Sequence, residues 1–113
     1  MAGIVKIKGL VINLGGDDYV VPPLSLGALE QLQERMAAFT GDIADPKQVA
    51  TAIDAAHAAL RRNYPELTRE HVADLIDVGN MVEAFEAVMD VSGTRRKEAE
   101  AAAASGGAQP GEA

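Results

Sequence analysis

The chain has no cysteine and no tryptophan, and two tyrosines and two phenylalanines are its only aromatic residues among 113. Without cysteine it has no disulfides and no thiolate metal sites, which suits a reducing compartment. With so few rings, a core must be built from Leu, Ile, Val and Met, helped by abundant alanine. Cations are also scarce: ten Lys and Arg stand against 17 Asp and Glu, a net charge of −7. Within 94–113, Arg95, Arg96 and Lys97 balance Glu98, Glu100 and Glu112, so the whole negative charge belongs to residues 1–93. Such a body repels nucleic acid and anionic membrane, because phosphate binding needs clustered Lys and Arg. No apolar run has the length of a membrane span. Lys6 and Lys8 do not introduce a signal peptide, since the alternation after them runs into Gly15-Gly16-Asp17-Asp18 without a cleavage site.

The clearest element present is Asp45–Thr68. Asp45 suits the N-cap and Pro46 the first helical position, where a missing N–H costs nothing. Gln48, three residues on, fits a capping box. Val49, Ala52, Ile53, Ala56, Leu60 and Tyr64 recur at helical spacing and predict one apolar stripe. Arg61 and Arg62 fall in the last turn, and Pro65 ends the helix.

Before it, Ile4–Leu14 reads as a strand whose apolar phase (Val5, Ile7, then Leu10, Ile12, Leu14) slips at Gly9. The slip predicts a β-bulge. Gly15–Asp18 is turn chemistry, and Tyr19–Val21 is a short return strand. The first strand outruns its partner, which predicts unpaired backbone near Val5–Lys8 and an edge open to a second chain. A helix from Leu26 to about Phe39 follows, capped by Ser25, with Leu29, Leu32, Met36 and Phe39 as a core stripe. Met36 and Phe39 have a partner-facing edge as their alternative role.

After it, Thr68 opens a third helix with a Leu67–Val72 staple, burying Val72, Leu75 and Ile76 and ending at Val78-Gly79. Asn80 caps a fourth, with Glu83 completing a second capping box. Its predicted apolar face is Met81, Val82, Phe85, Val88 and Met89, and Ser92-Gly93 stops it. Residues 94–113 turn to alanine, glycine and charge, too poor in large apolar side chains to pack. The expected fold is α+β, mainly α. A short N-terminal β-hairpin and about four packed helices make one domain over 1–93. A weakly helical to disordered tail covers 94–113.

No chemical motif in the sequence is complete. His57 and His71 share no i, i+4 spacing, and Asp54 and Asp74 do not make a metal motif with them. Gly15-Gly16 lacks the Lys-Ser/Thr of a phosphate loop. The pair Thr68–Val78 and Asn80–Val91 has the outline of a helix-turn-helix. Its second helix carries Glu83, Glu86 and Asp90 and no Lys or Arg, which a DNA groove would repel. These readings predict no enzyme, no cofactor, no metal and no nucleic-acid or membrane partner.

Ala59–Val72 (ALRRNYPELTREHV), with Asn80-Met81, Phe85-Glu86 and Met89–Gly93, resembles the tail assembly chaperones of long-tailed bacteriophages. Tyr19–Leu32 (YVVPPLSLGALEQL) fits the same family. The strongest match is Arg61–Thr68, a helix stop and restart with no catalytic content. The resemblance implies a non-catalytic protein of the host bacterial cytoplasm, absent from the finished virion. It would bind the tape measure protein and help the tail tube protein polymerise around it. In many such phages a frameshift makes a longer product, and here it would branch after Gly93. A small homo-oligomer is expected from the strand edge. Candidate partner-contacting residues are Val5 and Ile7 on that edge, Met36 and Phe39 on the first helix, and Arg61, Arg62 and Tyr64 in the matched motif. Met81, Phe85 and Met89 on the last helix complete them, the methionines because they adapt to varied apolar surfaces. The alternatives are a tail structural or completion protein retained in the virion and a helix-turn-helix regulator.

Overall fold

Two glycines reverse the chain near its start. Gly15 and Gly16 both take positive φ, 63° and 96°, the geometry a two-residue hairpin turn requires and side chains resist. They join β1 (Leu10–Leu14) to β2 (Asp17–Val21), paired antiparallel with Leu10 opposite Val21 and Leu14 opposite Asp17. The computed structural model describes residues 7–93. Four helices follow: α1 (Leu26–Ala37), α2 (Pro46–Leu60), α3 (Arg69–Leu75) and α4 (Met81–Val91). The architecture is α+β, mainly α, as expected. The tail 94–113 and Val5 lie outside the described residues.

Of the expected strand Ile4–Leu14, residues 4–6 lie outside the described residues, 7–9 are not strand, and β1 has five residues, the same length as its partner. Gly9 makes no bulge. It sits against β2 so closely that an added Cβ would lie 1.9 Å from the Val21 carbonyl oxygen, so no other residue fits there. Ile12 and Leu14 alternate inward from β1 and are buried with Val21.

Helix α2 is the centre of the packing, in contact with α1, α3, α4 and β2. Its buried face is Thr51, Ala52, Ala55, Ala56, Ala59 and Leu60. Small side chains on one face let neighbouring elements approach the helix axis. The expected stripe is therefore rotated. Ala52, Ala56 and Leu60 belong to it, whereas Val49 and Ile53 lie at its half-buried margin. Leu32 and Met36 of α1, Val72 of α3 and Ala84, Phe85, Ala87 and Val88 of α4 complete the core. Phe39 stacks on Phe85 with ring centroids 3.9 Å apart. Val82, expected on the apolar face of α4, is 46% exposed.

The caps divide. Ser25 Oγ accepts from the Ala28 N–H, Asp45 from Lys47 and Thr68 from His71, each as its sequence position predicts. Both capping boxes fail, because Gln48 and Asn80 serve the end of the preceding helix instead. Gln48 does not return to Asp45. Its amide accepts from the Thr40 N–H and donates to the Ala38 carbonyl, closing the end of α1. Asn80 does not cap α4 with its side chain. It accepts from the Asp77 N–H at 2.8 Å and donates to the Leu75 carbonyl at 3.1 Å, closing α3 instead. That closure ends α3 at Leu75, before the expected Val78-Gly79. The Asp77 carboxylate in turn accepts from the Gly79 and Asn80 N–H groups.

Candidate partner-binding surface

Three consecutive side chains after α2 hold the start of the chain in place. Arg62 donates to the Pro23 carbonyl at 2.6 Å. Asn63, 6% exposed, accepts from the Ile7 N–H at 2.9 Å and donates to the Ile7 carbonyl at 2.8 Å. Tyr64 Oη accepts from the Val20 N–H at 2.9 Å, and its ring meets Tyr19 edge-on at 5.3 Å. The expected open edge is thereby corrected at Ile7: its backbone is paired in full by one side-chain amide. In an antiparallel ladder, Val11 opposite Val20 turns its own N–H and C=O to the other side. The outward edge of the hairpin thus belongs to β1.

The same geometry relocates most of the candidate contact residues. Arg62 and Tyr64 spend their polar groups on β2 and the segment after it. Met36 and Phe85 are buried, and Phe39 covers Phe85, so these three build the interior. Met89 is half-buried against the core cluster. Arg61 is exposed and lines a shallow depression with Ile7, Gln31 and Ala58. Val5 lies outside the described residues. Met81, at 4% exposure as buried as Met36 and Phe85, is the one described residue of the ten that lines an apolar groove.

That groove, about 220 Å³, opens between α2, α3 and the start of α4. Val49 and Ile53 form its α2 side, Ala73, Ile76 and Val78 its α3 side, and Met81 and Ile43 its ends. Ile43 is 55% and Val78 75% exposed, and neither has the apolar surroundings of a core residue. Sequence periodicity missed both, because each lies in a connection rather than on a helix. Their signal was chemical: a β-branched aliphatic residue inside a turn segment, Asp42-Ile43 and Asp77-Val78, where polar residues are the rule.

No protein-family model, curated protein or solved structure matches the chain.

The groove has a carboxylate in its lining and two more adjoining it in the chain, while Glu83, Glu86 and Asp90 line a depression beside β1. Asp77 lines the groove, Asp42 precedes Ile43 and Asp74 follows Ala73. From Glu70 to Asp90 the chain has six carboxylates and no Lys or Arg. On the other side of α2, Asp54 takes Arg35 of α1 at 2.9 Å and also Arg69 of α3. Burial raises the Asp54 carboxyl, but the hydrogen bonds and charges of Arg69 and Arg35 together outweigh it, leaving it below its ordinary 3.8. This network ties three helices and lies outside the groove lining. His57 Nε2 lies 3.2 Å from the Leu67 carbonyl, and His71 is exposed on α3. No group of three His, Asp or Glu is placed to hold a metal among the described residues. No helix among them is long and apolar enough to cross a membrane.

Proposed function

We propose that this protein is a tail assembly chaperone of a long-tailed bacteriophage, binding the tape measure protein and assisting tail tube polymerisation without catalysis. The observation that carries the reading is the open apolar groove between α2, α3 and α4 on an acidic body. A chaperone needs exposed apolar surface to hold an aggregation-prone client and like charge to keep its own copies soluble. The likeness of Ala59–Val72 to the family adds support from sequence. In this reading Arg62, Asn63 and Tyr64 build the scaffold and the groove meets the client. The protein acts in the host cytoplasm and leaves before the virion is complete.

Co-expression with the tape measure protein of the same phage tests this. The client should remain soluble and co-purify with the chain. A client that is neither solubilised nor co-purified removes the assignment. Purified particles should lack the protein, and its retention there would make it a tail structural component instead.

A further inference from the structure

We infer that the groove between α2, α3 and α4 binds an amphipathic helix whose apolar stripe is flanked by Lys and Arg. This deepens the chaperone reading and rests on it for the partner's origin. Two observations choose the occupant. The lining comes from helices and their connections and contains no strand, so it has no backbone edge to pair with an extended peptide. The remaining way to engage aliphatic surface of this kind is a helix laid in a groove. Charge then selects which helix. Asp77 is in the lining, Asp42 and Asp74 adjoin lining residues in the chain, and from Glu70 to Asp90 there is no Lys or Arg, while Arg69 at the start of α3 is taken by Asp54. A helix with anionic flanks, or a second copy of this chain at −7, meets like charge there. A helix with cationic flanks places its aliphatic side chains between Ile43, Ile53 and Val78 and its ammonium or guanidinium groups beside the carboxylates.

The test uses the full chain and two synthetic helices of about eighteen residues. Both have the same leucine stripe, one flanked by lysines and the other by glutamates. Fluorescence anisotropy at low salt should show the lysine-flanked helix binding at least about tenfold more tightly. Added salt should erode that preference. Ile43→Ser and Val78→Ser alter exposed residues, so each should keep the melting temperature while weakening binding severalfold. Equal binding of the two helices, no binding, or unchanged binding by both variants overturns the inference. A dimer in sedimentation that Val78→Ser dissolves assigns the groove to a second copy and also overturns it. The chain has no cysteine, so a spin label at Lys97→Cys reports on the remaining occupant, residues 94–113. Broadening of the Ile43 and Val78 methyl signals without peptide would assign the groove to that segment. Co-expression separates the two levels. A tape measure protein kept soluble equally by wild type and Val78→Ser leaves the chaperone reading standing and removes the groove. Binding of the lysine-flanked helix with an insoluble tape measure protein does the reverse.

Discussion

Asn63 shows how much one side chain can decide. Its amide oxygen accepts from the Ile7 N–H, and its amide nitrogen donates to the Ile7 carbonyl and, at 3.4 Å, to the Val20 carbonyl. Asn63→Ala leaves the Ile7 N–H and C=O without those partners, at a cost of about 1–3 kcal/mol. Urea denaturation should read that loss, and hydrogen exchange should show the Ile7 amide losing protection. An Ile7 amide that exchanges as slowly as before would remove the clamp from the description. Asp54 makes a second prediction at this scale. Its carboxyl is held lower in the folded chain than in the unfolded one, so the network stabilises fully above the unfolded value of about 3.9. The contribution is lost as pH falls through the folded value. Asp54→Asn should therefore lower the urea midpoint at about pH 7, by an amount that shrinks as the pH falls below the unfolded value. A midpoint difference that persists unchanged in acid would contradict the ion-pair account.

Among the elements, α2 and the hairpin carry the sharpest consequences. Leu60 is fully buried at the end of α2, whereas Ile53 lies at the half-buried margin by the groove. Leu60→Ala should cost about 2–5 kcal/mol and Ile53→Ala clearly less. Equal costs would mean that the alanine face is not the side α2 turns inward. The hairpin depends on Gly9, where a methyl group would overlap the Val21 carbonyl and the Pro22 Cα. Gly9→Ala should displace the segment before β1 and release the Ile7–Asn63 bonds, lowering the melting temperature. A fully stable Gly9→Ala protein would require a different path for residues 7–9. The failed capping boxes belong to this scale too. Gln48 and Asn80 have the right spacing, but neighbouring helix ends offer them carbonyl and N–H groups that local geometry does not reveal.

For the whole molecule, excess negative charge sets the terms. Residues 7–93 hold 14 of the 17 carboxylate side chains, and the Asp54 network gathers two cations between helices. Screening shortens the reach of charge from about 30 Å at 0.01 M salt to about 8 Å at 0.15 M. The melting temperature should rise across that range as self-repulsion fades, with the partly exposed Asp54 pairs giving back a smaller amount. A falling melting temperature would mean that attractive pairs outweigh the repulsion. The same acidic body makes edge-to-edge association through β1 costly, and it favours a cationic partner at the groove.

What was legible in the sequence was whatever depends on neighbours a few residues apart. The Gly15-Gly16 turn, the caps at Ser25, Asp45 and Thr68, the four helices and most of their core residues follow from local sterics, hydrogen bonding and apolar period. The segment Arg61–Thr68 reads in the sequence as a helix stop, but the work of Arg62, Asn63 and Tyr64 does not show there. Their partners lie 39 to 56 residues away, where no periodicity reaches. Two of the candidate contacts, Met36 and Phe85, are core residues. Met36 falls on the core stripe of α1 and Phe85 on the apolar face of α4, so helical period already favoured burial over a partner role for both. The groove is the converse. Ile43 and Val78 have no helical period to mark them, and they become one surface because α2 and α3 pack with the two connections side by side.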